Sequence, residues 1–133
     1  MALDTVSQWH ALVARRDPDA LDDLLADDVV FHSPIVHTPQ RGKALTRLYL
    51  TAAFHVLVEN EFRYVREVVG ERDAVLEFTA TVDGIHVNGV DMIHWNAEGR
   101  IDDFKVMLRP LKAVNLLHSL MRSMLDQLAA SSA

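Results

Sequence analysis

Between Phe62 and Leu108 the chain holds four stretches rich in β-branched and aromatic residues, and the links between them are only a few residues long. The stretches are Phe62 to Val69, Ala74 to Val82, Ile85 to Trp95 and Arg100 to Leu108. The links are Gly70-Glu71-Arg72-Asp73, Asp83-Gly84 and Asn96-Ala97-Glu98-Gly99, rich in the Asn, Asp and Gly that tight turns require. These signals predict successive antiparallel hairpins. Asn88-Gly89, inside the third stretch, predicts a bulge or bend.

The rest of the chain reads as helices around one short strand. Thr5-Val6-Ser7-Gln8 fits a capping box with Thr5 as N-cap, and Val6, Trp9 and Val13 then recur at helical spacing. Asp17-Pro18 opens a second helix, with Leu21, Leu24 and Leu25 as its buried face and Asp19, Asp22 and Asp23 at its positive end. Val29 to Ser33 predicts a strand stopped by Pro34, followed by a loop from Ile35 to Gly42. Lys43 to about Glu59 is helical on Leu45, Leu48, Tyr49, Ala52 and Val56. Beyond Pro110, Leu111, Val114, Leu117, Met121, Met124 and Leu128 line a last helix, with fraying expected from Ala129 to Ala133. Helices followed by a run of antiparallel strands make an α+β fold. A strongly bent sheet wrapped around the helices would enclose a cavity.

A chain of 133 residues is one domain, 1–133, and buries about two-thirds of its unfolded surface without needing a staple. The net charge of -6 argues against a nucleic-acid partner, since no basic excess exists to neutralise phosphates. With no cysteine, thiol chemistry and disulfides are excluded. Asp4 stands where a secretory leader needs basic residues, and the longest apolar stretch, Leu48 to Val58, is too short to span a membrane. A cytoplasmic protein is expected.

Within the third strand-like stretch, Asp91 is an acid among apolar neighbours. Alternation puts Gly89, Asp91, Ile93 and Trp95 on one face and Val90, Met92 and His94 on the other. A carboxylate in such a place is costly to ionise unless paired. Facing a cavity, it becomes a neutral acid able to donate a hydrogen bond. Asp91 is therefore the leading site candidate; the plainer role is a hydrogen bond to a backbone N–H or to Trp9 that fixes the fold.

The element order, together with Leu24-Leu25-Ala26-Asp27-Asp28-Val29-Val30-Phe31-His32-Ser33-Pro34, Arg41-Gly42-Lys43-Ala44-Leu45, Gly89-Val90-Asp91-Met92-Ile93 and Gly99-Arg100-Ile101-Asp102-Asp103-Phe104, resembles the nuclear transport factor 2-like superfamily. The SnoaL-like and ketosteroid-isomerase-like branch looks nearest. This implies a cone-shaped, curved antiparallel sheet (a cystatin-like roll) packed on N-terminal helices, with a C-terminal helix closing the cavity. The Asp91 face would look into the cone with Leu76, Phe78, Ala80, Val82, Phe104, Val106 and Leu108. In ketosteroid-isomerase-like enzymes the general base falls at Ser33, beside His32; the oxyanion-hole tyrosine falls at Trp9; and a protonated aspartate falls at Asp91. Two of these positions depart from the family, which argues against ketosteroid isomerisation by the usual means. Val106 likewise replaces an acid of limonene-epoxide-hydrolase-like relatives.

The remaining candidates carry less. Tyr49 points its hydroxyl into the cavity or is an ordinary core tyrosine. Either His32 or Ser33 faces inward, and alternation does not decide which. His55 does not share a face with Tyr49, His37 sits in the mouth loop, and His118 lies on the last helix. The seven histidines show no ligand spacing, so no metal is expected. Arg109 pairs with Asp102 or Asp103, or else anchors a ligand carboxylate. Met107, Met121 and Met124 fill core gaps or form an adaptable lid. The expected occupant is a small apolar molecule gripped by Asp91, His32 or Ser33, Trp9 and Tyr49, with Phe31, Leu76, Phe78, Ala80, Ile93, Phe104, Val106 and Leu108 around it. Catalysis would be isomerisation, dehydration or cyclisation at a carbonyl without cofactor. The alternative is a non-catalytic ligand-binding or dimerisation module. A homodimer is expected through the outer sheet face, which carries Glu77, Thr79, Thr81, Met92, His94, Lys105 and Met107.

Overall fold

The structure is a computed structural model that describes residues 4–131. Helix α1 (Thr5–Arg15) is capped by Asp4, whose carboxylate accepts from the Ser7 backbone N–H at 2.8 Å. Thr5, expected as the cap, is the first helical residue, and its buried hydroxyl donates to the Gly99 carbonyl at 2.7 Å. That bond ties the helix to a sheet turn. The helix expected after Asp17-Pro18 is shorter than its acids implied: a 3-10 turn (Pro18–Ala20) leads into one α-turn, α2 (Leu21–Leu24). Leu25, expected on that helix, already belongs to strand β1 (Leu25–His32). A register shift between Leu25 and Val30 turns Asp27 and Asp28 out to solvent.

The loop after Pro34 contains a two-residue strand, β2 (Gln40–Arg41), paired with β1. Helix α3 (Lys43–Ala53) then widens into a π-helical turn (Phe54–Val58), in which Glu59 N–H donates to Phe54 O at 3.3 Å. Strands β3 (Arg63–Val69), β4 (Asp73–Val82), β5 (Ile85–Trp95) and β6 (Ile101–Arg109) follow as antiparallel neighbours, close to the expected limits. Asp83 and Gly84 both adopt positive φ, the geometry of a two-residue hairpin turn. Helix α4 (Leu111–Ser131) stays helical through the stretch expected to fray, of which Ser132 and Ala133 lie outside the described residues.

All six strands form one sheet in the order β2-β1-β6-β5-β4-β3, open at both edges. β1 lies parallel to β6, so the sheet is mixed. The bulge expected at Asn88-Gly89 is absent. The β4–β5 ladder runs in register from Asp73↔His94 to Val82↔Ile85, and β5–β6 is regular from Asn88↔Arg109 to His94↔Asp103. Glycine is needed there for space: an added Cβ would lie 2.5 Å from Phe78 Cζ, 2.7 Å from Leu108 Cδ2 and 2.8 Å from the Met107 carbonyl oxygen. One sheet face packs on the helices. The expected alternation is seen, with Leu76, Phe78, Ala80, Val82, Ile93 and Phe104 buried on that face. Trp9 at the centre of α1 closes the core, its ring 5.0 Å from Phe104 and 5.9 Å from Phe54. No helix among the described residues is long and apolar enough to cross a membrane.

Candidate functional site

Asp91 lies mid-strand in β5, between Leu76 of β4 and Val106 of β6 in the ladder, and is 6% exposed. Its carboxyl has one side-chain partner: Tyr64 of β3, whose O–H donates to Asp91 Oδ2 at 2.5 Å. The Tyr64 oxygen in turn accepts from the Trp9 indole N–H at 2.8 Å. Among the described residues, neither a backbone N–H nor Trp9 itself hydrogen-bonds the Asp91 carboxyl. A tyrosine is interposed, and it shifts Trp9 one place back from the acid. Burial pushes the Asp91 carboxyl up to about 7, and the Tyr64 hydrogen bond only partly opposes this. Burial, with the neighbouring acid, also holds the Tyr64 phenol well above the ordinary tyrosine range, so it stays a donor. Phe62 at 5.0 Å and His10 at 5.2 Å meet the Tyr64 ring edge-on and fix its position.

The Asp91 carboxyl opens on a chamber of about 30 Å³ walled by Trp9, Phe54, Phe62, Phe78, Phe104 and Val106. That is room for about two water-sized groups. A second chamber of about 230 Å³ lies nearer the surface, bounded by β1, the loop after it, α3 and α4. Phe31, Ile35, Leu108, Leu117, Met121 and Leu125 give it an apolar lining, with Ser33, Tyr49, His118, Arg122 and Asp126 as polar groups. Ala53 and Leu57 border both chambers.

The sequence candidates thus separate into two groups. Asp91, Trp9, Phe78, Phe104 and Val106 meet at the inner chamber, while Ser33, Phe31, Tyr49 and Leu108 meet at the outer one. Leu76, Ala80 and Ile93 are buried core beside them and line neither chamber. The choice between His32 and Ser33 is made by the strand: Ser33 lines the outer chamber, and His32 turns to the opposite face, where Nε2 bonds Asp103 Oδ1 at 2.8 Å. The Ser33 hydroxyl accepts from the Ile35 N–H at 3.0 Å, a local turn bond.

Of the other histidines, His118 lines the outer chamber, whereas His55 pairs with Glu59 at 3.4 Å. His37 is not among the lining residues, although Ile35 and Val36 of the same loop are. Arg109 meets neither Asp102 nor Asp103: its Nε–H donates to Asn88 Oδ1 at 2.8 Å, and Asp102 is held by His94 at 2.5 Å. That carboxylate holds the His94 imidazole above its ordinary range. Among the described residues, no group of three or more histidines and acids is placed to hold a metal. Tyr64 is the site residue that sequence reasoning missed. Its signal was the alternation Phe62, Tyr64 at the start of β3, the same period that placed Asp91.

The chemistry available at this geometry is narrow. A neutral Asp91 can keep Oδ2 on the Tyr64 hydroxyl and present its proton from Oδ1 to a polar atom in the inner chamber. An ionised Asp91 can only accept. While protonated, the acid is able to donate to a carbonyl or a developing oxyanion.

Comparison with known proteins places the fold. Residues 6–104 match the SnoaL-like domain family. A steroid delta-isomerase from Pseudomonas aeruginosa is 38% identical, over 95% of this chain and 92% of that one, with a TM-score of 0.90. An uncharacterized bacterial protein with a cystatin-like fold from Silicibacter pomeroyi is 34% identical, over 90% of this chain and 83% of that one, with a TM-score of 0.83. The epoxide hydrolase/cyclase-like enzyme SalBIII, 19% identical over 79% of this chain and 88% of that one, shares the fold with a TM-score of 0.64. No curated protein sequence matches. On this match the chain belongs to the SnoaL-like domain family, within the nuclear transport factor 2-like superfamily.

Proposed function

We propose that the protein takes an apolar, carbonyl-bearing small molecule into the cone and converts it by acid–base catalysis without a cofactor. The apolar body occupies the outer chamber and the carbonyl oxygen reaches the inner one. Asp91 donates to that oxygen, and Tyr64, oriented by Trp9, holds the acid in place. The observation that carries the reading is a buried acid, pushed up to about 7, that opens on a chamber of carbonyl size. A neutral donor aimed at a developing enolate is worth most in such a dry site. His118 is the imidazole lining the outer chamber; it takes the proton from the carbon beside the carbonyl and returns it to the far carbon of the migrating double bond. The similarity to a steroid delta-isomerase supports isomerisation over dehydration or cyclisation. The reading includes a homodimer formed through the outer sheet face.

One observation favours a second reading, a non-catalytic binder on the same fold. The Ser33 hydroxyl, at the position of the family's general base, is engaged by the Ile35 N–H, and among the described residues no hydrogen bond joins it to a base. Titration with 2-naphthaldehyde and with naphthalene, followed by ligand fluorescence at pH 6, tests the binding step common to both. Asp91→Leu, which fills the same space without a donor, should weaken the aldehyde at least tenfold, about 1.4 kcal/mol, and leave naphthalene unchanged. Equal affinities in both proteins would reject the carbonyl role of Asp91. Loss of turnover in Asp91→Leu and His118→Ala, with a β,γ-unsaturated aldehyde as substrate, separates the enzyme from the binder.

A further inference from the structure

The two chambers lie on one axis. Along β6 the inward residues Phe104 and Val106 line the inner chamber, and the next inward residue, Leu108, lines the outer one. Alternate strand positions are about 7 Å apart, so one chamber follows the other down the cone. On the helical side, Tyr49 borders the outer chamber and Leu50 and Phe54 the inner, while Ala53 and Leu57 border both. Ala53 contributes a single methyl group. The isobutyl group of Leu57 is therefore the larger helical part of what separates the chambers.

The backbone that carries Leu57 is not regular. It is the third residue after Phe54's replacement of the α-helical bond by an i→i+5 bond, within the turn Phe54–Val58. This wider turn runs between α4 and β4, and Phe54, Val56, Leu57 and Val58 are all buried in it. Single π-helical turns recur where a side chain is aimed for function. Here the turn carries Leu57, which borders the chamber at the mouth and the chamber of Asp91 alike.

We infer that Leu57 is the specificity-determining residue of this site. Its side chain partitions the cone and admits to the Asp91 chamber only a head group of formyl size, holding the rest of the ligand outside. The inference rests on the reading of Asp91 as a carbonyl-binding donor and adds the rule for which carbonyls reach it. Unhindered carbonyls at the end of a flat apolar body are accepted; carbonyls flanked by branched groups are refused.

Three probes share one body and differ in the head: 2-naphthaldehyde, 2-acetonaphthone and tert-butyl 2-naphthyl ketone. Wild-type affinity should fall at least tenfold from the first to the last. In Leu57→Ala the fall should shrink below threefold, because the chambers merge. Leu57→Phe should bind none of the three more tightly than naphthalene. A flat series in the wild type, or the wild-type series kept in natively folded Leu57→Ala, overturns the inference. Should Leu57→Ala fail to fold, Leu57→Val, smaller by one methylene, takes its place: partial flattening supports the partition, and an unchanged series in both Leu57→Val and Leu57→Phe overturns it. Asp91→Leu, which has no donor, keeps the two claims apart. If it abolishes the aldehyde's advantage over naphthalene while Leu57→Ala leaves the series intact, the partition fails and the role of Asp91 stands. If Asp91→Leu has no effect while the series flattens, the reverse holds.

Discussion

A carboxyl whose folded-state pKa lies above its unfolded value makes stability fall as pH rises. Asp91 titrates near 3.9 in an unfolded chain and at about 7 when folded. The folded state therefore holds its proton more tightly, and the contribution is full below pH 4 and lost progressively as pH climbs toward 7. Above pH 7 the folded protein carries a buried anion at a cost of a few kcal/mol. Asparagine keeps the shape and the acceptor for Tyr64 but cannot ionise. Asp91→Asn should accordingly match the wild type near pH 4 and exceed it by about 2–4 kcal/mol at pH 8, read from urea unfolding at both values. A constant difference across that range would place the folded pKa near the unfolded one. Asp91 was legible in sequence because a charge inside a period-two apolar run has few bland explanations. Tyr64 was not, since a tyrosine opening a strand looks like any half-buried aromatic until the curved sheet brings Asp91, two strands away, to 2.5 Å.

Among the elements, the hairpin strands were readable almost to the residue, because turn chemistry at Asp83-Gly84 and Asn96 to Gly99 fixes where each must stop. The stretch from Leu21 to Leu25 was harder. Its leucines satisfy a helical face and a buried strand alike, and only pairing of Leu25 with Ile101 decides for the strand. The π-helical turn left no sequence signal, since Phe54 to Val58 is apolar apart from His55 and fits an ordinary α-turn equally well. Gly89 was noticed for the wrong reason. Its ladder is straight, and what demands glycine is the approach of Phe78, Leu108 and the Met107 carbonyl to the position a Cβ would take. Phe78 and Leu108 can yield by rotation, but a backbone oxygen paired in the sheet cannot. Gly89→Ala should cost about 3 kcal/mol or more and broaden the β5–β6 signals in an amide spectrum. A change within 0.5 kcal/mol would mean that the sheet opens there at little cost.

At the scale of the whole molecule, the sheet buries one face on helices and leaves the other to be accounted for. On that outer face Val75 stands opposite Met92, and Val90 opposite Met107, so an apolar stripe crosses β4, β5 and β6. Met92 is 37% and Met107 51% exposed. The rim around them is polar, with Glu77 bound to Arg66 and Asn88, and His94 bound to Asp102. A stripe with a polar rim is the form of a self-complementary interface, whose two copies meet about a two-fold axis. The competing surface is the edge strand β3, where Val68 and Val69 are exposed. Arg63, Arg66 and Glu67 interrupt that edge with charge, a usual defence against strand pairing. The sheet face is therefore the expected contact. Sedimentation at tens of micromolar should find twice the 15.0 kDa subunit mass. Met107→Glu should halve it, since each copy would bring an unpaired carboxylate into the apolar stripe. Because Met107 is half exposed, the same change should alter monomer stability by no more than about 0.5 kcal/mol. A dimer that survives Met107→Glu but dissociates in Val68→Lys would move the interface to the β3 edge, and a monomeric wild type would remove it altogether.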